Sequence, residues 1–225
     1  SGGTVRAAAQ TYQTDEGERA RIQLSDGSQV VLNAKSTLTV PSFSDSARTV
    51  QLEGEALFTV SKDRDRPFRV HADGSVTRVL GTVFSVAAYP NEDTVDVVVA
   101  EGEVELRSER ARTGVGLTAR ERGRLARNDT SATEAEVDPT QYLAWTEGRL
   151  VFRDAPFHEV ARRLERQYGL EVQKADPELR VDRLNATFST DQSASEVLTI
   201  IAQTLSLEYT REGQTVTFAQ EDAFD

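Results

Sequence analysis

Cysteine and methionine are both absent from the 225 residues, and only two histidines occur, His71 and His158. Without cysteine there is no disulfide, no thiolate metal site and no thiol nucleophile. Two histidines cannot build a three-histidine zinc site, and both sit in ordinary surface settings. No G-x-x-x-x-G-K-[ST] or G-x-G-x-x-G run occurs, so nucleotide cradles are unsupported. No G-x-S-x-G elbow presents a serine. Aromatic residues are 7% with a single tryptophan, too little for an aromatic sugar platform. No apolar run approaches the roughly 18–20 residues a membrane span needs, and no secretory pattern opens the chain. Residue 1 is Ser, so the sequence is read as a processed form or a piece of a longer chain.

Acids are in excess: 37 Asp and Glu against 26 Lys and Arg give a net charge of −11. Such a chain repels phosphate backbones, which argues against nucleic acid and anionic membrane as partners. One stretch opposes the trend. Arg107 to Arg127 holds seven arginines against Glu109 and Glu121. Arg120, Arg122 and Arg124 alternate, which on a strand puts them on one face. They read either as a patch for an acidic partner or as a solvated edge strand whose charges block pairing. Asp63 and Asp65, interleaved with Lys62, Arg64 and Arg66, read as a charged turn.

Residues 20–127 read as strands. Apolar side chains recur with period two at Ile22/Leu24, Val30/Leu32, Ala56/Phe58/Val60, Phe68/Val70, Phe84/Val86 and Val104/Leu106. Turn residues stand between them at Asp26-Gly27, Asp73-Gly74, Pro90-Asn91 and Thr113-Gly114. The segment repeats weakly. Asp26-Gly27-Ser28 matches Asp73-Gly74-Ser75, and Glu53-Gly54-Glu55-Ala56-x-Phe58 matches Glu101-Gly102-Glu103-Val104-x-Leu106. A repeat of strand–turn units predicts a β-solenoid or β-roll, with an ordinary sandwich as the alternative.

Asn128–Asp138 is polar and aperiodic, and is read as a linker. Beyond it the texture becomes strand, helix, strand. Arg149–Phe152 is a strand; Asp154 is placed to cap a helix with Pro156 in its first turn. Phe157, Val160, Ala161, Leu164 and Tyr168 fall on one helical face, and Gly169 closes the helix. Leu170–Lys174 is a strand. The pattern returns 37 residues later. Ser193 and Glu196 form a capping box, and Ala194, Val197, Leu198, Ile201 and Leu205 repeat the apolar stripe. The expected architecture is therefore mainly β plus α/β: a β-rich domain with its linker over residues 1–138, then a small pseudo-duplicated βαβ domain over 139–225.

Six motifs in order resemble the periplasmic region of FecR-type transmembrane anti-sigma regulators. They are Asp26-Gly-Ser-x-Val-x-Leu-Asn-Ala-x-Ser-x-Leu38, Leu52-x-Gly-Glu-Ala-x-Phe-x-Val60, Arg66-Pro-Phe-x-Val70, Val79-Leu-Gly-Thr-x-Phe-x-Val86, Val99-Ala-Glu-Gly-x-Val104 and Trp145-x-x-Gly-x-Leu-x-Phe152. The duplicated module resembles the short signalling module (STN) of secretins and of TonB-dependent transporters.

The resemblance implies a periplasmic sensor and relay, part of an anti-sigma factor controlling an extracytoplasmic-function sigma factor in response to iron or carbohydrate uptake. The implied partners are the N-terminal signalling domain of an outer-membrane TonB-dependent transporter and, through a cytosolic domain outside this sequence, the sigma factor. Membrane contact would come only through a helix also outside it. An extracytoplasmic carbohydrate- or envelope-binding β module is the alternative; an enzyme using paired carboxylates lacks a marked pair. No catalytic residue, metal ligand or cofactor is expected. The partner-facing residues are expected in the second module: Arg162, Arg163 and Arg166 on the first helix's outer face, and Leu170, Glu171 and Val172 with Thr215, Val216, Thr217 and Phe218 as open strand edges. In some regulators of this family the chain breaks itself at a Gly–Thr bond, and Gly81-Thr82 stands at the matching place. Thr82 would attack the Gly81 carbonyl and the resulting ester would hydrolyse. The same two residues also read as a β-bulge and a strand threonine.

Overall fold

The computed structural model describes residues 9–44 and 46–220. The chain divides into two compact units, one running to Leu143 and one from Ala144 onward together with Glu16–Glu18.

The first unit carries thirteen strands: β1 Gln10–Gln13, β2 Ala20–Gln23, β3 Gln29–Leu32, β4 Thr37–Val40, β5 Arg48–Thr59, β6 Phe68–Ala72, β7 Ser75–Val79, β8 Val83–Ala88, β9 Thr94–Glu101, β10 Glu103–Ser108, β11 Val115–Thr118, β12 Glu121–Ala126 and β13 Thr133–Glu136. A short helix, α1 Pro139–Leu143, closes it. The strands form one continuous thirteen-stranded sheet. Every pairing is antiparallel except β5 with β6. Stacked parallel coils are absent from it, so the solenoid expectation is corrected. The sheet curls instead, and β11 lies against β12 without pairing, which makes it nearly barrel-like.

The long strand β5 organises this unit. Its first half pairs with β4 and β6, and its second half with β3 and β8. Arg48, Val50, Leu52, Gly54, Ala56 and Phe58 all face inward, strict alternation over twelve residues. The change of partners falls at Gly54, whose φ is 102°. A Cβ there would stand 2.7 Å from Ser36 Cα, so only glycine fits the conformation and the space. Ser36 Oγ accepts from Glu55 N (2.9 Å), and Asn33 Nδ2 donates to Glu55 Oε2 (2.7 Å). Gly102, φ 89°, separates β9 from β10 in the same way, and its Cβ would lie 3.1 Å from Thr82 Oγ1. The repeated Glu-Gly-Glu marks two bends where the chain changes strand partners. The core between the faces includes Leu32, Leu38, Phe58, Phe68, Phe84 and Leu106, with Phe58 stacked on Phe84 at 5.3 Å.

Two expectations fail here. Residues Thr133–Glu136 of the proposed linker form β13, paired with β12 in register Glu121↔Glu136 to Arg124↔Thr133. All four are exposed, so no apolar period announced the strand. Arg120 is not on a strand with Arg122 and Arg124: it occupies the turn before β12 at φ 71°.

The second unit contains a 3-10 turn Ala144–Glu147, then β14 Arg149–Ala155, α2 Phe157–Tyr168, β15 Glu171–Lys174, β16 Leu184–Ser189, α3 Ala194–Leu205, β17 Leu207–Glu212 and β18 Thr215–Gln220. The element order is strand, helix, strand twice over. The two strands flanking each helix do not pair, however. β14 pairs with β16, while β15, β18 and β17 form a separate three-stranded sheet in that order. Val160, Ala161 and Leu164 of α2 and Val197, Leu198, Ile201 and Leu205 of α3 pack with Phe152, Phe188, Val216 and Phe218 into one core. Ser193 and Glu196 make the capping box on α3, and Gly169 closes α2 at φ 64°. Asp154 does not cap α2; Pro156 holds that position without a side-chain bond. Asp154 lies at φ 49° in a bulge of β14, where its N–H donates to Asn185 Oδ1 at 2.9 Å.

Candidate partner-binding surface

Strand order in the three-stranded sheet decides which expected residues are available. Glu171 and Val172 lie on β15 directly beside Thr215 and Val216, in parallel register. Leu170, buried, precedes them. Thr215–Phe218 belong to β18, which has β15 on one side and β17 on the other. The expectation of an open edge at Thr215–Phe218 is therefore wrong: both sides of its backbone are already paired. The free edges are β15 and β17. A short apolar strand closing a hairpin gives no sign of being central, because the neighbour on its second side, β15, comes from some forty residues earlier.

Ladder parity shows where each edge points its main-chain groups. Glu171 N donates to Gln214 O and Ala175 N to Phe218 O, both at 2.8 Å. Glu171 and Gln173 thus face β18, and Val172 and Lys174 face away. By the same alternation Thr215, Thr217 and Ala219 face β17, pairing Glu212, Thr210 and Glu208. Leu207, Tyr209 and Arg211 face outward. In the two-stranded sheet Thr190 N donates to Gly148 O, which leaves Val151 outward on β14 and Thr187 and Ser189 outward on β16.

On three of these four edges a side chain takes one outward main-chain group. Glu165 Oε1 accepts the outward Val172 N–H at 3.3 Å. Arg163 Nη1 donates to the outward Val151 carbonyl at 2.8 Å. Gln192 Oε1 accepts the outward Ser189 N–H at 2.9 Å. Arg163 is further held by Glu159 at 3.0 Å and by the Phe152 ring, 5.4 Å away. Arg163 thus seals an edge within its own unit and is not a free cation on an outer face. Arg166 and Arg162 are half-buried on α2, and Arg162 makes no hydrogen bond or ion pair among the described residues. Sequence reasoning missed Glu165, Gln192 and β17, since what they do depends on strand order alone.

Two ionisable groups of this unit are shifted. Burial raises the Tyr168 hydroxyl pKa, and the Glu196 charge adds to it. The Ser193 hydroxyl and N–H hold the Glu196 carboxyl below its ordinary value, against a small desolvation effect.

In the first unit the arginine-rich stretch is largely spent on internal contacts. Arg124 reaches Asp96 at 3.0 Å, and Arg122 stacks on Tyr142 while donating to its hydroxyl at 2.9 Å. Arg127 pairs with Asp73 and donates to the Pro90 and Glu92 carbonyls, and Arg107 donates to Ser108 and Ala111 carbonyls. An open cleft of about 360 Å³ lies on this unit, lined by Thr39, Gln51, Glu53 and His71 among others. His71 Nδ1 meets Glu109 Oε1 there at 2.7 Å.

Gly81 and Thr82 connect β7 to β8. A Cβ on Gly81 would lie 2.7 Å from Lys62 Cα. Thr82, 4% exposed, donates its hydroxyl to the Glu103 carbonyl at 2.8 Å, and Val60 N donates to Thr82 O at 3.0 Å. The ladder irregularity lies further on, between Val83 and Phe84, opposite the extra residue Ala100 of β9. The bulge expected at Gly81 is thus displaced, and close backbone approach accounts for the glycine.

The chain matches the family model described as FecR protein over residues 10–105 and the model described as FecR, C-terminal, over residues 149–218. It belongs to the FecR family. Two crystal structures of a Parabacteroides distasonis protein described as a "putative anti-sigma factor", at 2.50 and 1.65 Å, superpose on this FecR-family chain with a TM-score of 0.85 and 27% identity. They cover 96% and 95% of it, and it covers 100% of each. No match was found among curated proteins. Among the described residues of the FecR-family chain, no helix is long and apolar enough to cross a membrane.

Proposed function

We propose that this FecR-family chain is the periplasmic sensor and relay region of an anti-sigma regulator, with the second unit receiving the N-terminal signalling domain of a TonB-dependent outer-membrane transporter. The relay then reaches an extracytoplasmic-function sigma factor through a cytosolic part of the regulator. The observation that carries this reading is the pair of FecR matches, one on each compact unit, together with likeness over nearly the whole length to the Parabacteroides protein. The physical chemistry is consistent with it. The family motifs are spent on bends and cores, as Gly54, Ser36 and Asn33 show. The carbohydrate-binding alternative is weaker, because Trp145 is 7% exposed and is no stacking platform.

The test is direct binding of this chain, by calorimetry, to each purified transporter signalling domain encoded in the same genome. One domain is expected to bind, and the rest are the specificity controls. Failure of every domain, with retention of a polysaccharide on a glycan array, would replace this reading with the carbohydrate-binding one.

Gly81-Thr82 we read as architecture and not as a cleavage site. Each residue has a packing or hydrogen-bonding role that accounts for its presence.

A further inference from the structure

We infer that the outer edge of β17 is the docking strand of this protein, and that its occupant is an extended segment of the partner carrying Lys or Arg at alternate positions. This deepens the reading above and rests on it. The juxtaposition that carries it is one strand edge with no outward main-chain group taken by a side chain among the described residues, beside three edges that each have one so taken.

Unpaired strand edges invite association, and proteins usually block those they do not use. In the second unit β14, β15 and β16 each have an outward main-chain group taken by a side chain: Val151 by Arg163, Val172 by Glu165, Ser189 by Gln192. These three side chains come from α2 and from the turn before α3. On β17 the outward groups of Tyr209 and Arg211 meet no side chain among the described residues. The Arg211 side chain turns to its own hairpin, where Nε donates to Gly213 O at 2.9 Å. The Tyr209 hydroxyl turns to Thr199 Oγ1 at 3.3 Å. β17 is six residues long, enough for two or three rungs of an added strand, and strand addition draws its affinity from such main-chain bonds.

Charge selects the occupant. Side chains alternate along β17, so Leu207 and Tyr209 turn toward the core while Glu208, Thr210 and Glu212 stand on the other face. Glu208 and Glu212 have no ion-pair partner among the described residues. Glu171 of β15 lies on that same polar face. A strand laid against β17 would place alternate side chains beside Glu208 and Glu212, and opposite charges at such cross-strand positions are favourable.

The probe is the transporter signalling domain that binds the full chain, and the decisive variant is Arg211→Pro. Proline there removes one outward N–H and leaves the bonds of Thr210 and Glu212 to β18 intact, as edge strands allow. Arg211→Ala is the control for the lost side chain. We expect Arg211→Pro to weaken binding roughly tenfold or more beyond Arg211→Ala, as losing a main-chain bond would. Glu208→Lys with Glu212→Lys should weaken it further. Amide hydrogen exchange on the unaltered chain gives an independent reading that survives a misfolded variant. Tyr209 and Arg211 amides should exchange fast when free and slowly in the complex, with Val172 slow in both. Equal affinity of the proline and alanine variants overturns the assignment, as does slow exchange at Tyr209 and Arg211 in the free chain. New protection confined to another edge while binding persists overturns it too, and leaves the proposed function standing. If no signalling domain binds the unaltered chain, both fall together.

Discussion

Arg48 and Asp26 meet at 2.7 Å with side chains only 1% and 3% exposed. Arg48 also donates to the Arg66 and Ser61 carbonyls at 2.8 Å and lies 5.5 Å from the Phe68 ring centre. Asp26 accepts from the Ser28 hydroxyl and N–H. The guanidinium therefore ties the turn after β2, the start of β5 and the loop before β6. Removing one partner strands the other charge in the interior, so Asp26→Ala should cost about 3–5 kcal/mol. Chemical denaturation of this variant beside Arg48→Met and the double variant measures it. The double variant is expected to recover part of the loss.

The same pair makes stability fall in acid. Burial alone would raise the Asp26 pKa, but the Ser28 bonds and Arg48 outweigh it and hold the carboxyl below its ordinary value of 3.8. A group depressed on folding binds its proton more readily in the unfolded chain. Its contribution is complete above the unfolded pKa and disappears as pH falls through the folded one. Melting curves from pH 6 downward should therefore show Asp26→Asn losing less stability than the unaltered chain. Parallel acid slopes would contradict this.

Gly54 and Gly74 both have positive φ, 102° and 74°. A Cβ on Gly74 would meet nothing within 4 Å, whereas one on Gly54 would strike Ser36. Alanine at Gly74 should cost about 1 kcal/mol, from conformation alone. At Gly54 the collision adds to the strain, and a loss above roughly 3 kcal/mol or failure to fold is expected. Thermal melts of the two variants side by side give the comparison.

Ser193→Ala removes the side-chain half of the capping box on α3, in which Ser193 Oγ accepts from Glu196 N, and leaves the backbone N–H of residue 193 donating to the Glu196 carboxylate. A loss of about 1 kcal/mol in the second unit is expected. Ser193→Asp should restore most of it. An unchanged melting temperature in Ser193→Ala would mean that packing of α3 alone fixes the helix start.

At Gly81-Thr82 the chain should stay whole. Intact-mass spectrometry after prolonged incubation is expected to give a single species. Two fragments meeting at this bond, abolished by Thr82→Ala, would reverse the assignment. Thr82→Val, which loses the bond to the Glu103 carbonyl and keeps the shape, should cost about 1–3 kcal/mol.

Local signals were legible where their causes are local. The stripe Val197, Leu198, Ile201, Leu205 needs only helical spacing, and the Ser193/Glu196 box only three residues of separation; both appear as expected. Asp154 had the right residue type for a cap, but its positive φ in a bulge turns the chain so that Pro156 precedes the helix. Pairing between distant segments was not legible. Thr133–Glu136 is a strand only because β12 offers its edge, and Thr215–Phe218 is central only because β15 arrives from some forty residues earlier. The weak repeat was real as a pattern, yet its meaning lay in the bends at Gly54 and Gly102 and not in stacked coils.

The shared strand β5 also bears on how the first unit comes apart. Its two halves are hydrogen-bonded to four different strands along one inward-facing row. Neither half of the sheet can lose β5 without exposing the row that covers the other. Opening should therefore be all or none across this unit, with amides of β4 and β8 exchanging at one common free energy. Most rungs join residues far apart in the chain, so that single transition should be slow to form, on the order of milliseconds to seconds.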